Sequence, residues 1–210
     1  MITDRPVSHS MEKQTDTRKR IANLTSNILN PFLLCLALIF LFSFTSSSST
    51  PEAMKWAFLS MAVSILPVFL VIIYMLRNGK LDNFYINIRE QRTRIYLIGC
   101  FCALISCITL IYLKAPLILV AAFTTGLSTA FIFTLINLWW KISLHTALVA
   151  ASATLLVMLY GWTAAATVAL VPLTAWARIE LEYHSFSQTA TGALLATLIV
   201  VVLFYPLALA

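Results

Sequence analysis

The chain has 210 residues, of which 60% are hydrophobic and only 10% are charged, and its formal net charge is +6 at pH 7. An ordinary soluble domain is about 45–50% apolar and about 25% charged, so this composition excludes a water-soluble globular protein. Several apolar stretches approach the length of about 20 residues that one helical membrane span requires. We therefore expect an all-α, polytopic integral membrane helical bundle, with no second globular domain and no nucleic-acid partner.

Residues 1–27 are polar and basic and are predicted to be a disordered tail. Residues 28–210 are predicted to form the transmembrane domain, with six core spans and an additional N-terminal span. Because the first apolar run begins only near residue 31, it is expected to be a retained span rather than a signal peptide. The predicted spans, in chain order, are 28–45, 53–76 with a kink at Pro67, 95–113, 117–140, 143–160, 161–177 and 189–207.

The loops between these spans alternate between two sides of the membrane. The tail and the segments 77–94, 140–145 and 178–188 fall on one side, which carries nearly all the lysines and arginines. The opposite side has only tight turns with Lys55 and Lys114. The positive-inside rule makes the basic face cytoplasmic, and we expect the protein in the cell (inner) membrane.

Ionisable side chains collect at the membrane boundary on this basic face. They are His145, His184, Lys141, Arg89, Arg92 and Arg178, and Ser143 lies among them. Such cations either snorkel to lipid headgroups or face an interior cavity. Guanidinium and ammonium groups beside a hydroxyl suit a tetrahedral oxyanion, and two imidazoles supply a nucleophile and a general acid. No carboxylate cluster indicates a metal site, the cysteine spacing matches no zinc or disulfide framework, and no cofactor is expected.

The spacing of these residues resembles the signature motifs of the type 2 phosphatidic acid phosphatase superfamily. The run Arg178-Ile-Glu-Leu-Glu-Tyr-His184 is similar to its third motif, Ser-Arg-x5-His-x3-Asp. The run Ser143-Leu-His145 is similar to its second motif, Pro-Ser-Gly-His, and Arg92 takes the arginine position of the first, Lys-x6-Arg-Pro. The resemblance extends from about Asp82 to the C-terminus.

The resemblance implies a role for each motif residue. His184 is the expected nucleophile and His145 the expected general acid, while Arg92, Ser143 and Arg178 hold phosphate oxygens. Lys141 is added to the phosphate-binding set because it lies near Ser143 in the sequence. Gln188 is the expected orienting residue, where the family has aspartate.

Several positions depart from the family pattern. Tyr85 stands in place of the first-motif lysine, Thr93 in place of its proline, and Ala177 in place of the third-motif serine. A glutamine carbonyl at 188 can still accept a hydrogen bond from the imidazole, but it brings no charge. Glu180, four residues before His184, is a candidate to supply that charge.

The sequence therefore predicts a metal-independent membrane phosphatase or diphosphatase that acts through a phosphohistidine. Its expected substrate is a lipid phosphate, such as phosphatidic acid or a polyprenyl phosphate, which reaches the site from the surrounding membrane lipids. One alternative is a catalytically weak relative that binds phospholipid headgroups. Others are a bis-histidine haem protein and a small transporter or channel. No pattern in the sequence indicates an oligomeric state.

Overall fold

The computed structural model describes residues 7–80, 89–204 and 206–207, and this part of the chain contains helices and no strand. The predicted all-α class is therefore confirmed. The helices are α1 (Val7–Ile28), α2 (Pro31–Ser46), α3 (Thr50–Val63), α4 (Ile65–Arg77), α5 (Arg89–Tyr112), α6 (Leu117–Asn137), α7 (Leu144–Tyr160), α8 (Leu170–Glu180) and α9 (Phe186–Ile199). A 3₁₀ helix (Gly161–Ala169) precedes α8, and a π-helical turn (Val200–Phe204) follows α9.

Six helical stretches of the described chain are long and apolar enough to cross a membrane. They are Asp16–Ser46, Thr50–Arg77, Gln91–Tyr112, Leu117–Asn137, Leu144–Glu180 and Phe186–Phe204. The protein is thus an integral membrane helical bundle, as the composition predicts, and the N-terminal stretch is consistent with the additional span.

The stretch from Leu144 to Glu180 is 37 residues long, which exceeds the length that one membrane crossing needs. α7 ends at Gly161, whose φ of 63° lies in the left-handed region that glycine adopts without strain. The 3₁₀ helix and α8 then pack back along α7. Together they rise about 34 Å, which is enough to cross the hydrocarbon core. The chain therefore returns to the end of the bundle at which α7 began.

The second stretch is interrupted at Ser64, three residues before Pro67. Proline has no N–H, and its ring clashes with the carbonyl of the residue four positions earlier, which here is Val63. The hydroxyl of Ser106 on α5 lies 3.1 Å from that Val63 carbonyl oxygen and offers it a donor. The kink expected at Pro67 is therefore a helix break that a neighbouring helix stabilises.

The N-terminal segment differs from the predicted disordered tail, because from Val7 onward it forms α1. Ala22, Ser26 and Leu29 share one face of this segment at helical spacing, and all three are buried where α1 packs against α8. Two ion pairs between exposed α1 cations and the end of α8 add to this contact: Arg18–Glu180 at 3.3 Å and Lys19–Glu182 at 3.8 Å. The buried face accounts for the order of α1, since surface ion pairs contribute little.

Exposed aromatic side chains mark both ends of the membrane-spanning bundle. Trp139 and Trp140 follow α6 at the end where α7 begins. Tyr112, the last residue of α5, and Trp162, which follows α7, lie at the opposite end. Tryptophan and tyrosine are enriched at the two membrane–water interfaces, where an apolar ring and a polar edge are both accommodated. These positions fit a bundle that crosses the whole bilayer.

The start of α9 docks closely on the start of α7. The backbone N–H of Ser143 donates to the backbone carbonyl of Gln188 at 3.3 Å. One turn further along α9, a Cβ added to Gly192 would lie 2.8 Å from the carbonyl oxygen of Ser143. The absence of a side chain at Gly192 therefore permits the close approach of the two helices.

We expect Gly192→Ala to lower the thermal unfolding temperature of the detergent-solubilised protein, because the added methyl group must push α9 away from α7. Forced overpacking of this kind typically costs about 1–3 kcal/mol. Gly126→Ala is the matched control, since a Cβ there meets no heavy atom within 4 Å. Equal unfolding temperatures for the two variants would contradict this account of the α7–α9 contact.

Candidate functional site

A cavity of about 290 Å³ lies at the end of the bundle where α2, α5 and α7 begin and α8 ends. We call it the polar cavity, after the five basic side chains that line it: Arg92, Lys141, His145, Arg178 and His184. These are five of the seven residues proposed for the site from the sequence. The remaining two, Ser143 and Gln188, are not among the residues that line it.

The turn between α8 and α9 brings His184 back beside Arg178. The backbone N–H groups of Tyr183 and His184 both donate to the carbonyl oxygen of Arg178, at 3.1 and 3.3 Å. Within the turn, Glu182 has a φ of 59°, a left-handed conformation that costs a non-glycine residue about 1–2 kcal/mol. The five residues between Arg178 and His184 thus form a turn whose last backbone N–H groups donate to the Arg178 carbonyl, and this places His184 beside Arg178.

Gln188 determines which nitrogen of His184 carries the proton. Its side-chain Oε1 accepts from the backbone N–H of Ser185 at 3.2 Å and lies 3.1 Å from Nδ1 of His184. A backbone N–H can only donate, so the shared atom is the amide oxygen, and Nδ1 must then be the protonated nitrogen of a neutral imidazole. Nε2 of His184 consequently carries the lone pair.

Gln188 is also part of the cap of α9. The Ser185 side chain accepts from the Gln188 backbone N–H while the Gln188 side chain accepts from the Ser185 backbone, which is a capping box. The residue expected to orient the histidine is therefore fixed by the start of its own helix. Whether it orients a reacting histidine stays a prediction.

Arg92 is buried at the start of α5 and is held by a residue that sequence reasoning missed. Its Nε donates to the side-chain carbonyl of Asn137 at 2.6 Å, and the Asn137 amide nitrogen donates to the Thr93 hydroxyl at 2.9 Å. Asn137 is fully buried at the end of α6. A polar amide inside an otherwise apolar span is the signal that could have identified it.

Arg178 is buried at the end of α8 and also has a partner that the sequence did not indicate. Its guanidinium donates to the hydroxyl of Ser26 on α1 at 2.8 Å, across 152 positions of the chain. On another side, the guanidinium lies 4.4 Å from the centre of the Tyr183 ring, a cation–π contact. The helix α1, expected to be disordered, thus contributes directly to the surroundings of the site.

Ser143 does not line the polar cavity and is the N-cap of α7. Its fully buried hydroxyl accepts from the backbone N–H of Thr146 at 3.4 Å and lies 3.0 Å from the Thr146 hydroxyl. The cap begins the helix that carries His145 into the polar cavity. The role of Ser143 as a phosphate ligand stays a prediction.

Other residues considered from the sequence lie away from the polar cavity or outside the described chain. Glu180, a candidate to charge His184, forms its ion pair with Arg18 of α1 instead. Tyr85 and the first part of the Asp82–Arg94 run fall in residues 81–88, outside the described residues, and the side chain of Arg89 is likewise not described.

The surroundings of the polar cavity disfavour additional positive charge. Burial, and then the charge of Arg178, lower the pKa of His184 to about 4, although the hydrogen bond to Gln188 acts in the opposite direction. Burial and the guanidinium groups of Arg92 and Arg178 lower the pKa of Lys141. His184 is therefore a neutral imidazole near pH 7, which is the form that can act as a nucleophile.

Comparisons with known proteins give no match for this chain. No protein-family model matches, and neither the curated proteins nor the solved structures contain a significant relative.

We expect the His184 imidazole to titrate with a midpoint near pH 4, instead of the usual value of about 6.5. Gln188→Glu should raise this midpoint, because a carboxylate at the position of the amide favours the imidazolium. Nitrogen NMR of histidine-labelled protein in micelles measures the midpoint, with His184→Asn to assign the signal. Ser187→Glu, which adds the same charge at an exposed neighbour, should have a smaller effect. A midpoint of about 6.5 in the unmodified protein would contradict the proposed environment.

Proposed function

We propose that this protein is a metal-independent membrane lipid phosphatase or diphosphatase that acts through a phosphohistidine intermediate. The observation that carries the proposal is the polar cavity, where two histidines and three cationic side chains meet at one end of a membrane-spanning bundle. The cations suit a phosphate group, and the neutral His184 suits nucleophilic attack. The resemblance of the motif residues to the type 2 phosphatidic acid phosphatases supports the assignment of individual roles.

Arg92, Arg178 and Lys141 bind the phosphate oxygens in this proposal. Arginine presents forked N–H donors that match the oxygens of a phosphate, and lysine adds a compact positive charge. Asn137 and Ser26 are neutral, so their hydrogen bonds orient the two guanidinium groups without cancelling their charge. Cations positioned in advance stabilise the negative charge of a transition state more than mobile solvent does.

In the first step, the Nε2 lone pair of His184 attacks phosphorus. A P–N bond forms while the P–O bond to the lipid breaks. The negative charge of the bound phosphate favours the protonated form of His145, which donates its proton to the departing lipid oxygen. Throughout this step the side-chain carbonyl of Gln188 accepts a hydrogen bond from Nδ1–H of His184 and stabilises the positive charge that develops on the ring.

In the second step, water attacks the phosphohistidine. His145, which lost its proton in the first step, accepts one from the water as the new P–O bond forms and the P–N bond breaks. Inorganic phosphate leaves, and both histidines return to their starting states. The lipid enters from the bilayer, since the cavity lies at the membrane boundary, and we place this face in the cytoplasm by the positive-inside rule.

Purified protein should release phosphate from at least one member of a panel of phosphatidic acid, lysophosphatidic acid, and prenyl phosphates and diphosphates. His184→Ala should lower kcat/KM at least about 10³-fold, because the nucleophile is lost. Rapid alkali quench with radiolabelled substrate should trap an alkali-stable phosphoprotein with the unmodified protein and not with His184→Ala. The matched control is His9→Ala, which removes the histidine of the polar tail.

His145→Ala separates the two histidine roles. The substitution should slow the hydrolysis of lipid phosphates about 10²–10⁴-fold. It should have much less effect on the hydrolysis of nitrophenyl phosphate, whose leaving group needs no proton. The phosphatase proposal would be refuted if the protein released phosphate from none of these lipids. Saturable headgroup binding that His184→Ala leaves unchanged would then identify a headgroup-binding protein.

Ser26→Ala should weaken binding of inorganic phosphate about two- to tenfold, because Arg178 loses a hydrogen bond that holds its guanidinium. Isothermal titration in micelles measures the affinity. Ser128→Ala is the control, since the Ser128 hydroxyl donates within α6 and does not line the cavity. Unchanged phosphate affinity in Ser26→Ala would show that α1 does not position the arginine.

A further inference from the structure

A second cavity, of about 370 Å³, continues from the polar cavity into the interior of the bundle. We call it the chamber. Six residues line both cavities and form the junction between them: Pro31, Phe32, Val68, Gly99, Ala130 and Leu144. The junction makes the chamber an extension of the proposed phosphate site.

Three helices form the long walls of the chamber, and each lines it over the same length. On α2 the lining residues extend from Pro31 to Phe42, on α6 from Leu119 to Ala130, and on α7 from Leu144 to Leu155. The two ends of each series are eleven positions apart, which corresponds to about 16 Å of helix. The hydrocarbon core of a bilayer is about 30 Å thick, so the chamber extends from the membrane boundary through about one leaflet.

The chamber is apolar along its length and is closed at its far end by the buried side chains of Phe42, Leu119 and Val200. Two hydroxyls in its wall, those of Ser64 and Thr129, donate to carbonyls of their own helices. The buried hydroxyl of Thr125 has no hydrogen-bond partner among the described residues and is available to an oxygen of an occupant. Gly126 is exposed and marks an opening toward the surrounding lipid.

We propose that the chamber binds the hydrocarbon chain of a single-chain lipid phosphate while its phosphate occupies the polar cavity. This inference rests on the proposed function and narrows its substrate class. An apolar chamber one leaflet deep, continuous with a cationic cavity at the boundary, matches the two ends of such a molecule. Its volume of about 370 Å³ is near the lower limit of ligand pockets, about 300–1,000 Å³, which favours one chain over two.

Two glycines allow the chamber to be blocked at different depths. Gly99 lies at the junction, and Gly126 lies one helical turn beyond the junction residue Ala130. A Cβ at either glycine meets no heavy atom within 4 Å, so Gly99→Phe and Gly126→Phe place a ring in open space. Ala37→Phe is the matched control, because Ala37 is exposed on α2 and does not line the chamber.

The experiment measures kcat/KM for single-chain alkyl and prenyl phosphates of increasing length, for two-chain phosphatidate and for soluble nitrophenyl phosphate. The unmodified protein should prefer long single-chain substrates over two-chain phosphatidate by about tenfold or more. Gly99→Phe, at the junction, should lower kcat/KM for lipid phosphates of every chain length by about tenfold or more. Gly126→Phe should lower kcat/KM for long-chain substrates but not for four-carbon ones. Ala37→Phe should leave kcat/KM unchanged for both.

Photocrosslinking provides a readout that does not require catalysis. A single-chain alkyl phosphate with a diazirine at its chain end should label chamber-lining peptides of α2, α6 or α7, and Gly126→Phe should suppress this labelling. Labelling confined to outward-facing residues, an equal chain-length profile for Gly126→Phe and Ala37→Phe, or a preference for two-chain phosphatidate would overturn the inference and leave the phosphatase intact. Labelling of the chamber without hydrolysis of any lipid would instead refute the phosphatase and retain the chain-binding site.

Discussion

The interactions of Gln188 join the parts of this structure on which the site depends. Its backbone carbonyl accepts from Ser143 at the start of α7, and its side-chain oxygen accepts from the Ser185 backbone at the start of α9. The same oxygen faces Nδ1 of His184. One residue thus caps a helix, docks two helices together and selects the tautomer of an imidazole. Gly192 makes this arrangement possible, because a side chain there would hold α9 away from α7.

Around this centre, neutral side chains hold the buried arginines. Asn137 contacts Arg92 and Ser26 contacts Arg178, so the two guanidinium groups receive fixed orientations from α6 and α1. At the boundary of a membrane, a cation must be oriented toward water, a partner or a ligand, because burial in hydrocarbon is costly. Both arginines line the polar cavity, which is where a ligand would meet their charge. The chamber behind it would then let a lipid present its phosphate there while its chain remains in an apolar environment.

Much of the bundle could be predicted from the sequence alone. Apolar runs of sufficient length predicted the spans, and the loop alternation placed the site residues at one end, where five of them line one cavity. Residues 161–177 were predicted to make a short return pass, and the fold-back at Gly161 has that form. The sequence did not indicate α1, because the polarity of this helix conceals a narrow face whose burial requires α8 as a partner.

The sequence by itself determined the class of the protein and the residue types of the candidate site, because hydrophobic length and the positions of ionisable groups are local properties. Only the tertiary structure decided which side chains hold those residues. Ser26 and Asn137 lie 152 and 45 positions from the arginines they contact, so no local spacing reveals them. The chamber likewise depends on the tertiary structure, since it is a space between α2, α6 and α7 that exists only after the three helices pack.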